Sequence, residues 1–160
     1  MTIAFKLRQF LDRQHATYEL IDHPPTSSSA ETALVAHIPP RAMVKAVLLD
    51  MPDDRLLAVL SSDRRIDLAD LGTELDGMPR LADEHQIAVV FDDCAPGAVP
   101  PLGLGYGVAT IIDDHLADEP DIFFEAGDHR SLVHMEQDEF RRLTARAQHG
   151  SFGTPWQLLD

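Results

Sequence analysis

Apolar side chains recur at helical intervals at the start of the chain: Ile3, Phe5, Leu7, Phe10 and Leu11 predict a helix over residues 3–14, with the Thr2 hydroxyl as its cap. Ala16 to Asp22 alternates as a strand does, and His23-Pro24-Pro25 ends it, because proline carries no N–H donor and restricts the residue before it. Thr26 to Ser29 supplies cap hydroxyls for a short helix over 30–36, closed by Pro39-Pro40. Two apolar runs, Met43 to Leu49 and Leu56 to Leu60, flank Pro52-Asp53-Asp54 and predict a hairpin of central strands. Ile66 to Leu71 begins a polar-faced helical segment, and Leu81 to Gln86 predicts another helical turn before Ile87-Ala88-Val89-Val90-Phe91. Beyond a Gly/Pro-rich stretch from Asp92 to Gly107, strands are predicted over 108–112, 121–125 and 131–135. An amphipathic helix follows over 137–148 through Phe140, Leu143 and Ala147, and Ser151 to Asp160 reads as a tail without regular pattern.

Most of these strands are joined by links too short for parallel crossovers. The expected fold is therefore α/β of the α+β kind: one domain over residues 1–150, a mixed, mostly antiparallel curved sheet flanked by helices, with 151–160 as a C-terminal tail. A length of 160 residues suits one core, and an apolar share of 44% is enough to bury it. Charge interrupts the N-terminal apolar positions before they reach signal-peptide length, and no run approaches the roughly 20 apolar residues of a membrane span. A cytoplasmic location without a membrane partner is expected. The single cysteine, Cys94, leaves neither an internal disulfide nor a CxxC zinc framework.

Charge changes the picture of any partner. Thirteen basic residues against 27 acidic ones give −14, the wrong sign for a chain that grips nucleic acid broadly through its phosphates. An RNA contact would have to be small, a terminus inserted in a pocket served by local cations such as Lys45, Arg64, Arg65 and Arg130.

Lys45 interrupts the apolar run Met43 to Leu49 and by alternation shares a face with Met43 and Val47. Two readings stand at this point: an edge-strand lysine that blunts aggregation or snorkels to water, and a cation lining a cleft to hold a phosphate or carbonyl oxygen. In the segment Asp93 to Gly103, Gly97 permits close ligand approach, Pro100 and Pro101 stiffen the turn, and the Gly97, Ala98 and Val99 amides form a candidate oxyanion cradle. A plain surface connection has the same composition. Glu125-Ala126-Gly127-Asp128-His129-Arg130 joins two strands as a tight turn whose His129 and Arg130 reach a pocket rim, or merely decorate a hairpin. Cys94 lacks an evident base and reads as a small buried hydrophobe, Asp113-Asp114-His115 reads as capping rather than metal ligation, and Gly103-Leu104-Gly105-Tyr106-Gly107 misses the dinucleotide spacing.

Together, His23-Pro24-Pro25 before a Thr/Ser-rich helix start, Val44-Lys45 in a strand, Gly97-Ala98-Val99-Pro100-Pro101, and Ala126-Gly127-Asp128-His129 resemble the YbaK and prolyl-tRNA synthetase-associated editing domain family, from about residue 5 to residue 143. The resemblance implies a trans-acting aminoacyl-tRNA deacylase that binds the acceptor end of mischarged tRNA, with an aminoacyl-tRNA synthetase as a second partner. It implies Lys45 as the catalytic, orienting residue, and Gly97, Ala98, Val99 and Pro101 around the terminal ribose and ester. Gly127, His129, His23 and Thr26 complete the substrate pocket, and no cofactor or metal is needed. The substrate's own vicinal hydroxyl, or a thiol on the amino acid, would assist attack. Such an enzyme answers a physical need, since one methylene is worth only about 1–3 kcal/mol of discrimination. Ala46 departs from the small polar residue that often follows the lysine in relatives, which bears on amino-acid choice. The alternatives are a non-catalytic nucleotide- or aminoacyl-binding module or protein-interaction domain, and a hydrolase of small esters unrelated to tRNA.

Overall fold

The computed structural model describes residues 3–75 and 77–156. Helix α1 (Phe5–Arg13) is followed by strand β1 (Glu19–Asp22), helix α2 (Ser29–Val35), strands β2 (Met43–Asp50), β3 (Arg55–Ser61) and β4 (Arg64–Ile66), helix α3 (Leu68–Glu74) and strand β5 (Arg80–Leu81). Helix α4 (Glu84–Val90), strands β6 (Ala109–Asp113), β7 (Asp121–Glu125) and β8 (Ser131–Glu136), helix α5 (Gln137–Leu143), and strands β9 (Gln148–Gly150) and β10 (Gly153–Pro155) complete the chain.

Local chemistry accounts for most boundaries. Helix α2 starts where the Ser28 side chain accepts the Glu31 amide, and it stops where His37 takes a left-handed backbone, two residues before the prolines. Asp83 and Gln86 form a reciprocal capping box that starts α4 and carries the helix through the apolar run to Val90. Helix α1 is entered at Ala4, and the expected cap Thr2 lies outside the described residues.

The main sheet has strand order β1-β8-β7-β2-β3-β6-β9, with β5 on the end of β2. Its ladders are mostly antiparallel, but β7 on β2, β6 on β3 and β9 on β6 are parallel. One face carries Val44, Leu48, Leu57, Val59 and Phe124 and buries them under Leu7, Phe10 and Leu11 of α1 and Phe140 and Leu143 of α5. The opposite face is covered in two patches: Met43 under Ala33 and Ile38 beside α2, and Leu49, Ala58 and Leu60 under Leu71 of α3 and Phe152. Along β2, Lys45 stands between these patches.

Two expectations are corrected here. The last helix stops at Leu143, and residues 148–150 add a strand to the sheet edge instead of continuing it. Nor are residues 151–156 an unpatterned tail. Asp113, fully buried, accepts the Phe152 and Gly153 amides at 2.9 and 3.0 Å, Phe152 is only 1% exposed, and β10 pairs antiparallel with β4. Those acceptors come from partners about 40 residues away and more, so no local periodicity announces them.

Candidate functional site

The parallel register sets Met43 beside Phe123 and Val44 beside Phe124, and Lys45 and Glu125 are the next residues along the two strands. Two-residue alternation puts both on the face of Met43 and Phe123. Lys45 is half-buried, and its Nζ lies 5.3 Å from the centroid of the Trp156 ring. Burial pushes its pKa down, which the neighbouring Asp63 carboxylate partly opposes. No hydrogen bond or ion pair joins Lys45 to the Gly97–Pro101 loop among the described residues; its charged and aromatic neighbours are Asp63 and Trp156. The Trp156 amide donates to the Asp63 carbonyl at 3.3 Å. Pairing of β10 with β4 sets Pro155 opposite Arg64 and Thr154 opposite Arg65, so two further expected cations lie on the strand paired with β10. Arg130 stands exposed in the turn between β7 and β8.

No ion pair joins Glu125 to Lys45 among the described residues. Glu125 Oε1 accepts from Thr32 Oγ1 at 2.8 Å and lies 3.3 Å from His23 Nε2, with both side chains of that pair at most 3% exposed. His23 Nδ1 sits 2.7 Å from the Pro24 carbonyl, an acceptor only, so Nδ1 carries a hydrogen. His23 Nε2 and Glu125 Oε2 are buried without a hydrogen-bond partner among the described residues. Burial pushes the Glu125 pKa up, while Thr32, His23 and His129 pull it down. Thr26 Oγ1 closes the cluster 2.5 Å from Thr32 Oγ1. His23 and Thr26 thus gather around a carboxylate that spacing did not single out. Its signal was available: a lone charge closing Ile122-Phe123-Phe124-Glu125, the same kind that marks Lys45.

The loop and the turn meet directly. Gly127 has φ +117°, and a Cβ there would come within 2.8 Å of Ala4 Cβ; its carbonyl accepts from the Ala95 amide at 2.7 Å. His129, itself left-handed at φ 60°, donates from Nε2 to the Pro96 carbonyl. Gly97, at φ +79°, packs so closely that a Cβ would lie 3.3 Å from His129 Cε1 and 3.4 Å from the Ser27 carbonyl ahead of α2. Of the three candidate amides, Ala98 is spent on the Ala95 carbonyl at 3.0 Å. The Gly97 and Val99 amides have no acceptor among the described residues. Beside them a cavity of about 230 Å³ opens against Ile87, Ala88 and Phe91 of α4 and its flank. The Ala98 side chain is buried, and Val99 packs on the main core. Pro101 lines a different cavity of about 110 Å³ with Phe10 and Leu143.

Chemically, Lys45 offers a partly desolvated ammonium and the loop, which no contact or cavity joins to Lys45 among the described residues, offers two amides without an acceptor; each suits oxygen-rich or anionic groups. It does not offer an activated thiol. Burial pushes Cys94 up to about 12, and its Sγ neighbours are Asp93 and the Tyr106 hydroxyl. Asp113 serves the Phe152 and Gly153 amides and His115 Nδ1.

Residues 23–143 match the aminoacyl-tRNA editing domain family. The chain belongs to this family. Among solved structures, hypothetical protein APE2540 has a TM-score of 0.83 at 18% identity, over 93% of this chain and 99% of that one. A protein proposed to be a trans-editing enzyme for prolyl tRNA synthetase has a TM-score of 0.81 at 22% identity, over 94% and 96%. A longer chain from Marinobacter aquaeolei, proposed to act in signal transduction, has a TM-score of 0.77 at 21% identity, over 96% of this chain and 31% of that one. At these identities the likeness establishes the fold of this editing domain. No curated protein matches the chain. The family match ends at residue 143, so β9, β10 and Trp156 lie beyond it.

Proposed function

We propose that this editing domain is a trans-acting, cytoplasmic aminoacyl-tRNA deacylase that hydrolyses the ester of mischarged tRNA. Water adds to the ester carbonyl, the bond from carbonyl carbon to ribose oxygen breaks, and that oxygen takes up the proton, releasing the amino acid and an intact tRNA. The Lys45 ammonium orients the substrate by holding a phosphate or carbonyl oxygen near the ester. The Gly97 and Val99 amides stabilise the oxyanion, with one such donor worth about 3 kcal/mol of barrier. Gly127 and His129 keep the loop in place, His23 and Thr26 brace the start of α2 through Glu125, and the substrate's vicinal hydroxyl assists the water.

The observation that carries this reading is the state of Lys45, an ammonium drawn half out of water on a central strand with no carboxylate in ion-pair contact among the described residues. A charge kept that way is costly unless an anionic or strongly polar ligand completes it. The strongly acidic remainder of the chain limits the RNA contact to the acceptor end, and an aminoacyl-tRNA synthetase as second partner would supply the rest of the grip. Editing of the tRNA-Pro type is favoured by the likeness to the proposed trans-editing enzyme for prolyl tRNA synthetase.

A panel of mischarged tRNAs, tested with the native chain and Lys45→Ala side by side, checks the proposal. The native chain should deacylate at least one member, and the variant should stay folded with its rate down by about 10²–10³-fold. Equal turnover by the two would refute the role of Lys45, and saturable binding without turnover would leave a non-catalytic binding module.

A further inference from the structure

We propose that Trp156 is the stacking platform for the terminal base of the acceptor end, an inference that rests on the deacylase reading for the position of the ester beside Lys45. Trp156 is 48% exposed although it belongs to a firmly held segment. Behind it, β10 pairs with β4, Phe152 is buried, Asp113 accepts two backbone amides, and the Trp156 amide itself is tied to Asp63. A large apolar ring displayed on a rigid support is poised for contact. The Lys45 ammonium lies over the ring 5.3 Å from its centroid, and nearly half of the tryptophan residue still meets solvent.

Geometry links the ring to the reaction. The ester-bearing ribose carries its own base, so a ribose held at Lys45 sets that base within about one nucleotide of the amine, where the indole stands. Charge points the same way. Lys6, Arg8, Arg41, Arg80, Arg141 and Arg142 are all ion-paired. Arg64 and Arg65, opposite Pro155 and Thr154, have no carboxylate in ion-pair contact among the described residues, which also holds for Arg13, Arg55, Arg130 and Arg146, and Arg64 Nη1 donates to the Gly153 carbonyl at 2.9 Å. Cations on the strand paired with β10 suit a phosphate that precedes the base. Trp156 is thus a binding residue that lies beyond the matched family region.

Trp156 is the chain's one tryptophan, so its fluorescence reports the contact directly. The full chain is titrated with an uncharged acceptor-stem microhelix ending in an unpaired terminal adenosine, with the same microhelix carrying an abasic terminal residue, and with adenosine monophosphate. The intact microhelix should quench saturably, and the abasic one should bind roughly 5- to 150-fold more weakly, the range of one base–aromatic stack. On any mischarged tRNA the native chain hydrolyses, Trp156→Ala should raise KM by a similar factor and leave kcat within about twofold, while Trp156→Phe restores most of the loss. Equal binding with and without the terminal base overturns the proposal, as does an unchanged KM in Trp156→Ala. Quenching by the free nucleotide without microhelix binding overturns the assignment to an acceptor end. If no mischarged tRNA is hydrolysed, the deacylase reading fails, and the two microhelices still decide the stacking.

Discussion

Replacing Gly97 by alanine separates the loop's role in the site from its role in the fold. At φ +79° an L-residue pays about 1–2 kcal/mol for the left-handed backbone. The new methyl would also press on His129 Cε1 at 3.3 Å, His129 Nε2 at 3.4 Å and the Ser27 carbonyl at 3.4 Å, so the ring or the start of α2 must yield by a few tenths of an ångström. Gly107 is the matched control, because it has φ +70° and an added Cβ would meet nothing within 4 Å. Both variants should lose roughly 2–8 °C in Tm, from about 1–2 kcal/mol and the usual response of a domain this size. Only Gly97→Ala moves the His129–Pro96 contact, and since displacements near 1 Å cost about 10²-fold, its deacylation rate should fall roughly 10- to 100-fold. Thermal unfolding and single-substrate deacylation of the two proteins check this. If Gly97→Ala unfolds earlier yet hydrolyses at the rate of Gly107→Ala, the loop does not border the reacting ester.

Lys45→Met should leave the fold intact, and its stability difference from the native chain should depend on pH. The folded pKa lies below 10.5, so the unfolded chain binds more protons between the lowered value and 10.5, and native stability rises with pH across that window relative to the variant. Urea midpoints of both proteins from neutral pH to 10.5 read this directly, and a flat difference would contradict the desolvation of the amine. Cys94→Ala should keep full deacylation, and the native thiol, pushed up to about 12, should resist iodoacetamide at neutral pH; rapid alkylation with loss of activity would restore the thiol as a nucleophile. Phe152→Ala should cost about 3–5 kcal/mol of unfolding free energy, and an unchanged midpoint would show that residues 148–156 do not belong to the core.

Local periodicity and turn chemistry were enough to read the first helix, the β2–β3 hairpin around Pro52-Asp53-Asp54, the capped start of α2 and the mixed, mostly antiparallel sheet. Side-chain spacing records which face of an element is apolar, and a lone charge on such a face, as at Lys45, is visible without a structure. Which segments meet across the chain is another matter. The pairing of Lys45 with Trp156 spans more than a hundred residues, Glu125 reaches Thr32 and His23 from a strand end, and Asp113 anchors a segment that looked patternless. Within the loop, a local turn from Ala95 to Ala98 takes up the Ala98 amide and leaves those of Gly97 and Val99 without an acceptor among the described residues. The long-range choices depend on burial and on competition for each donor and acceptor, which only the packed chain resolves.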